Sequence, residues 1–246
     1  MLGDTASFDD TNDDSLLRSS ASLQTGSFST SQDVAAFTDL TLGSEAVGGG
    51  LLMADLTQAW IDERTAPEIL PYKHHLVEGL IERLDEKINE VMDINPRDSA
   101  EKFVTMLYQN EIERAKYVIR SYLRTRLHKI EKFALDIIRK PDLDQLLSTQ
   151  EIAYARKYQE LVETHNHDSF LHLLPPSQHK QDENFDGLNM VVTPNLDAPV
   201  FIKVMEDVGR IQLARDEFVP FEKGDIYFVR YNDVKHLIRN GQAKLI

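Results

Sequence analysis

The sequence of 246 residues contains no cysteine. Disulfides, thiolate nucleophiles and Cys-ligated zinc are therefore excluded. No stretch approaches the eighteen or more consecutive apolar residues of a membrane-spanning helix, so no membrane partner is expected. The first residues carry neither the basic nor the apolar region of a secretory signal, and together with the absent cysteines this points to an intracellular chain. The phosphate-cradling patterns G-x-x-x-x-G-K-S/T and G-x-G-x-x-G are missing, as are G-x-S-x-G and H-E-x-x-H. Glu222-Lys223-Gly224-Asp225 holds a Gly and a Lys without a glycine-rich loop, and a turn before a strand explains it. No two carboxylates can be placed across a cleft for acid–base work. The expectation is a protein without catalytic residues or cofactors.

Eight histidines are present, and His165, His167 and His172 with Asp168 form the densest group. A zinc or iron site there would need a further ligand and a fixed geometry. Histidines two apart on a helix point in different directions, so solvated imidazoles at a polar helix end are the simpler reading. A metal-dependent hydrolase around His165–His172 stays as a minor rival, testable by metal analysis.

Basic residues are scarce at one end of the chain. Residues 1–50 hold Arg18 alone against eight acidic residues, which is −7 of the total −14. This stretch is rich in Ser, Thr, Asp and Gly, has no sustained period and closes on Gly48-Gly49-Gly50. Such a composition cannot bury enough surface to offset the entropy of ordering, and it reads as a disordered acidic tail. Within it, Asp13, Asp14, Leu16 and Leu17 place acids beside apolar residues, as a short docking motif would.

From Leu51 onward the chain can build a core: 41% of the whole is hydrophobic and 28% charged. Leu52, Leu56, Ala59, Trp60 and Glu63 fit a first helix, stopped by Pro67 because the residue before a proline is pushed out of the α region. Ala66–Pro71 is a rigid elbow. A second helix over Tyr72–Asp93 has its stripe at Leu76, Val77, Leu80, Ile81, Leu84, Ile88 and Val91. Asp98 and Glu101 are spaced as a capping box opening a third helix that runs to about Arg139, ahead of Pro141. At about 1.5 Å per residue that helix would span near 60 Å, too long for a small domain to bury completely. Ser148 and Glu151 repeat the capping spacing before Ile152, Ala155, Leu161 and Val162. Beyond Met190 the texture changes to short β-branched and aromatic runs at Val200–Val204, Ile211–Leu213 and Asp225–Tyr231. A short helix to Arg239 and a strand at Ala243–Ile246 follow. The fold class is α+β, an all-α helical bundle domain followed by a small β-rich domain. The boundaries are a tail over 1–50, helices over 51–174, a linker over 175–189 and the β-rich part over 190–246.

Glu111–Phe133 is the stretch around which the rest is arranged. Apolar residues recur at Ile112, Ala115, Ile119, Leu123, Leu127 and Ile130, one helical face seeking a core or a partner. The other faces carry seven Lys/Arg against three Glu. Lys116, Arg120 and Arg124 lie in a row at i, i+4 and i+8, ready for acidic side chains or phosphates. Pairing with carboxylates, in the domain or on a neighbouring subunit, suits planar bidentate Arg. The alternatives are a nucleic-acid contact with steep salt dependence and a merely solvated face.

Three motifs carry a family resemblance. Leu56-x-x-Ala59-Trp60-x-x-Glu63-x-x-Ala66-Pro67-Glu68-Ile69-Leu70 resembles the opening of GINS subunits of the fourth, Sld-five type. Glu113-Arg114-x-x-Tyr117-x-x-x-Ser121-Tyr122-Leu123-Arg124-x-Arg126-Leu127-x-Lys129-Ile130-Glu131-Lys132 is similar to the central helix of the same type. Asp197-x-x-Val200-Phe201-Ile202-Lys203-Val204 and the closing Leu245-Ile246 are similar to its C-terminal module. The likeness covers residues 51–246, and residues 1–50 are longer and richer in Ser and Asp than the family pattern. It implies a helical A-domain, a small β B-domain and no catalytic site. It also implies one copy in a nuclear four-subunit complex with three paralogous subunits, acting with the MCM helicase and its Cdc-forty-five cofactor and linking them to polymerases. DNA is then met only indirectly, and an N-terminal peptide can dock on a replisome hub trimer. Under this resemblance Tyr117, Arg120, Tyr122, Leu123, Arg124, Arg126, Leu127, Lys129 and Ile130 form the subunit interface. Trp60, Pro67, Glu68 and Ile69 set the elbow. Direct nucleic-acid binding by Glu111–Phe133 is the rival from another class.

Overall fold

Pro67 does what its ring dictates. In a computed structural model that describes residues 49–94, 98–176, 179, 184–185, 188–189, 191–213 and 217–246, the first helix, α1 (Gly49–Thr65), ends just before it. The helix begins at Gly49, two residues inside the stretch read as tail. The motif at Asp13–Leu17 lies outside the described residues. After the elbow, α2 (His74–Asp93) and α3 (Ser99–Lys132) form an antiparallel hairpin. Asp98 opens α3 by accepting the Glu101 N–H at 2.8 Å, satisfying one of the orphan donors of the first turn. Met53 and Leu56 of α1, Leu76, Val77, Leu80 and Leu84 of α2, and Ile112, Ala115, Ile119 and Tyr122 of α3 make the first core. Ile81, placed in the stripe by spacing, lies outside that core and is exposed.

The third helix has 34 residues and stops at Lys132, earlier than its spacing predicts. Phe133 leaves the α region (φ −119°, ψ 26°) and a short α4 (Ala134–Ile138) follows. Neither Gly nor Pro marks the break; it comes where the Phe133 side chain joins Ile130, Ile137, Leu147 and Ala155 in a second core. The one-turn α5 (Leu143–Leu146) leads to α6 (Thr149–Ser169). Here the capping box is complete: Ser148 Oγ accepts the Glu151 N–H at 3.2 Å, and Glu151 Oε2 accepts the Ser148 N–H at 2.9 Å.

Within the stretch read as a linker, β1 (Asn184–Phe185) pairs with β2 (Leu188–Asn189). The C-terminal module has a three-stranded antiparallel sheet in the order β6 (Ile226–Arg230), β3 (Pro199–Val204), β7 (Ala243–Leu245). A separate hairpin joins β4 (Gly209–Leu213) to β5 (Glu217–Phe221). The latter strand was not anticipated, since Pro220 reads as punctuation; in a two-stranded ribbon a strand can hold a proline whose missing N–H faces no partner. The last helix is α7 (Tyr231–Arg239), and Gly241 (φ +74°) turns the chain back after it. Val200, Ile202, Val204, Tyr231, Val234, Leu237 and Leu245 form the third core, with Ala66 of the elbow among them.

Two hydrogen bonds tie this module to α1. Gln58 Nε2 donates to the Leu245 carbonyl at 3.0 Å, and the Leu245 N–H donates to Asp62 Oδ1 at 3.1 Å. Burial pushes the Asp62 carboxyl above its usual range, against the opposing pull of Gln58, the Leu245 N–H and Lys244. Described residues throughout belong to one compact unit.

Candidate subunit interface and the ion cluster behind it

Along α3 the buried positions Ile112, Ala115, Ile119 and Tyr122 continue, one turn later, to Arg126 and then Ile130. An arginine thus occupies the place of a core residue, and it is fully buried. It survives there because each of its five N–H groups meets an acceptor. Nε and Nη2 form a two-pronged pair with Glu151 at 2.8 and 3.1 Å. Nη1 reaches Glu63 at 3.0 Å and the Leu70 carbonyl at 2.6 Å, and Nη2 also reaches the Leu146 carbonyl at 2.8 Å. Tyr72 and Tyr122 lie against the guanidinium, 5.2 and 5.7 Å from it. Burial works against the charge, but Glu151 and Glu63 outweigh it and hold the group firmly protonated.

Lys129 extends the cluster, donating to Glu63 at 2.9 Å and to the Glu68 carbonyl at 2.7 Å. Its burial exceeds the help from Glu63, and its ammonium titrates below the usual lysine range. Glu68 then carries the chain of charges into the C-terminal module, where Tyr231 Oη donates to it at 3.0 Å and Lys235 at 2.7 Å. The Tyr231 phenol is pushed far up by burial and by the Glu68 charge, and the Tyr122 phenol up to about 12, chiefly by burial. The elbow is therefore the meeting point of α1, α3, α6 and α7. Glu68 and Ile69 are buried at it, and Pro67 is half-buried. Trp60 sits further back on α1, half-buried, its ring edge-on to Tyr117 at 6.0 Å and under the Arg64 guanidinium at 5.4 Å.

These positions divide the nine residues expected at a subunit interface. Tyr122, Arg126, Lys129 and Ile130 are buried within the chain, so they are corrected to interior residues that shape α3 from behind. Leu123 and Leu127 are half-buried, and Tyr117, Arg120 and Arg124 stand on the surface. The basic ridge is also thinner than its sequence: Lys116 is held by Glu113 and Arg114 by Glu111, each at 2.8 Å. Arg120 and Arg124 form no ion pair among the described residues. The His167 ring lies 6.2 Å from those of His172 and His179. His167 faces Asp168 at 3.3 Å and His172 meets the His167 carbonyl at 2.9 Å, and no three metal-ligating side chains among the described residues are placed to hold a metal ion.

The spacing of the sequence passed over one feature of the surface. No residue of α3 before Ile112, and none of α2 after Leu84, is buried. This end of the hairpin instead exposes Met92, Ile94, Phe103, Val104 and Met106, with Met92, Phe103 and Met106 61–76% exposed. The excess length of α3 was the available signal; which of its apolar residues stay bare depends on where the bundle stops.

Residues 194–246 match the family described as "DNA replication complex GINS protein SLD5 C-terminus", and residues 80–170 match the "GINS complex protein helical bundle domain". The chain is 35% identical over 193 residues to a Schizosaccharomyces pombe relative described as "DNA replication complex GINS protein sld5", covering 78% of this chain and 90% of that one. The chain belongs to the SLD5 family of GINS proteins. Relatives of the same description are 34% identical in Mus musculus over 207 residues, 79% of this chain and 89% of that one. In Dictyostelium discoideum the figure is 34% over 204 residues, 79% and 92%. For an SLD5 chain the two matched segments fall on different parts of the fold described above, the helical bundle and the sheet with α7.

Proposed function

We propose that this chain is a non-catalytic structural subunit of a four-chain GINS particle, one copy beside three paralogous subunits. The observation that carries this reading is the bare end of the α2–α3 hairpin. A helix of 34 residues, about 50 Å long at 1.5 Å per residue, buries side chains in its own core only from Ile112 onward. Large apolar side chains left exposed together at one end of a folded hairpin fit a protein contact. Tyr117, Arg120, Leu123, Arg124 and Leu127 extend that contact along α3, with the buried Arg126–Glu63–Glu151 cluster holding the helix in place behind them. In this reading the division of the chain is 51–174 for the A-domain and 190–246 for the B-domain, joined by 175–189.

The particle works in the nucleus, where it joins the MCM helicase and its Cdc-forty-five cofactor and connects them to polymerases during initiation and elongation. The motif at Asp13–Leu17 docks on a replisome hub trimer. Support comes from the family membership and from relatives whose descriptions name the DNA replication complex. The test is light scattering after size exclusion, on the chain alone and after co-expression with its three partners. Entry into a particle with one copy of each chain is expected, and Phe103→Ser with Met106→Ser prevents it while leaving the melting temperature of the isolated chain unchanged. A monomer that ignores all three partners would overturn the assignment.

A further inference from the structure

The three-stranded sheet has two faces, and the chain covers one. Register pairs Phe201 with Phe228, and Lys203 with both Ile226 and Lys244. The Ile246 N–H donates to the Phe201 carbonyl at 3.2 Å, which sets Ile246 beside Phe201. Alternation along each strand puts all six on the outward face, while Val200, Ile202, Val204 and Leu245 turn inward against Val234 and Leu237 of α7. Phe201, Phe228, Ile226 and Ile246 are each 50–61% exposed, and the two phenyl rings lie 4.5 Å apart.

The charges at strand positions of this face have one sign. Lys203 and Lys244 lie at its centre and edge, and Arg230 stands at the corner opposite Pro199, held by Asp233 at 3.1 Å and 3.9 Å from Asp197. Asp225, the neighbour of Ile226, has the opposite parity and takes the Tyr227 hydroxyl at 3.3 Å. No acidic residue occupies a strand position of the outward face, in a chain of net charge −14.

We propose that this face is a docking platform for an amphipathic helix of another protein, its apolar stripe flanked by Asp and Glu. A sheet with one bare apolar face is completed by a packed layer. Three strands, at about 4.8 Å spacing, offer a width near the roughly 10 Å diameter of a helix. Lysines at its edge select acidic flanks over basic ones. Ile226 and Ile246 give bases nothing to stack on, which separates this surface from a single-strand nucleic-acid platform, where aromatic rings follow a cationic groove.

The probes are two labelled helical peptides with the same Leu/Phe stripe, one flanked by Asp/Glu and one by Lys/Arg, and a labelled oligothymidylate. Each is titrated by anisotropy against the full chain and against the four-chain complex. The acidic peptide is expected to bind both. Phe201→Ser with Phe228→Ser weakens it by about tenfold or more without changing the melting temperature or the yield of complex. Lys203→Glu with Lys244→Glu transfers the preference to the basic peptide. Failure of the acidic peptide to bind, equal binding of both peptides, or oligothymidylate binding lost in the double Ser variant would each overturn the proposal. So would loss of the four-chain particle in that variant, because the face would then be a subunit contact. The wild-type yield of complex, read separately, tests the assembly reading alone.

Discussion

Arg126 occupies a position that the stripe of α3 reserves for an apolar side chain, and its energetics follow from that. Replacing a whole buried ion cluster by apolar residues is often neutral, whereas removing one partner leaves a buried charge uncompensated at about 3–5 kcal/mol. Arg126→Met removes the only charged partner of Glu151 among the described residues and leaves Glu63 with Lys129, so it is expected to cost that much in chemical denaturation. A loss under about 1 kcal/mol would show that water reaches the cluster. Tyr122 gives a second test. Its folded phenol titrates near 12 and the unfolded one near 10, so the folded state retains its proton longer. The stability from this group is complete below pH 10 and is lost as pH rises through about 12. Between pH 9.5 and 12 the wild type should lose about 2 kcal/mol more than Tyr122→Phe. Lys129, whose pKa is lowered by burial, acts in the opposite direction and is common to both proteins. Parallel stability curves for the two would contradict the burial of the phenol. The partners of neither residue could be read from the sequence. Spacing shows an arginine on a stripe, but only tertiary structure brings Glu63 and Glu151 to it, from positions 63 and 25 residues away.

Among the elements, those with local causes were legible and those with tertiary causes were not. Pro67 ending α1, Asp98 opening α3 and the box at Ser148 all act within a few residues, and each is where its chemistry puts it. The break at Phe133 and strand β5 depend on distant packing and on a ribbon partner, and local propensity does not reveal them. Glu151 serves two elements at once, capping α6 and pairing with Arg126. Ser148→Ala therefore should cost about 1 kcal/mol, the usual loss of a cap, and Glu151→Ala several times as much. Equal melting temperatures for the two variants would mean that the ion pair contributes nothing beyond the cap. On the outer side of α3, Arg124 is exposed and without an ion pair among the described residues. Arg124→Glu is expected to reduce the yield of complex with little change in melting temperature, whereas an unchanged yield with a large thermal loss would place it in the fold rather than at the interface.

At the scale of the molecule, α1 and the elbow act as a strut on which both the helices and the sheet are built. Gln58 and Asp62 hold Leu245, and Glu68 holds Tyr231 and Lys235. The order of helices then strands was legible because the period of the sequence changes near Met190; the docking of the two parts was not, since it rests on Ala66 entering the core of the C-terminal module and on polar contacts across more than 160 residues. What the chain leaves unburied is the far end of its longest hairpin. The most direct measurement is amide hydrogen exchange on the chain alone and in the four-chain complex, followed over residues 85–94 and 99–111. Strong protection of both segments on assembly, with little change at Arg126 and Lys129, is the predicted result. Unchanged exchange in those segments would contradict the claim that partner subunits complete this end of the bundle.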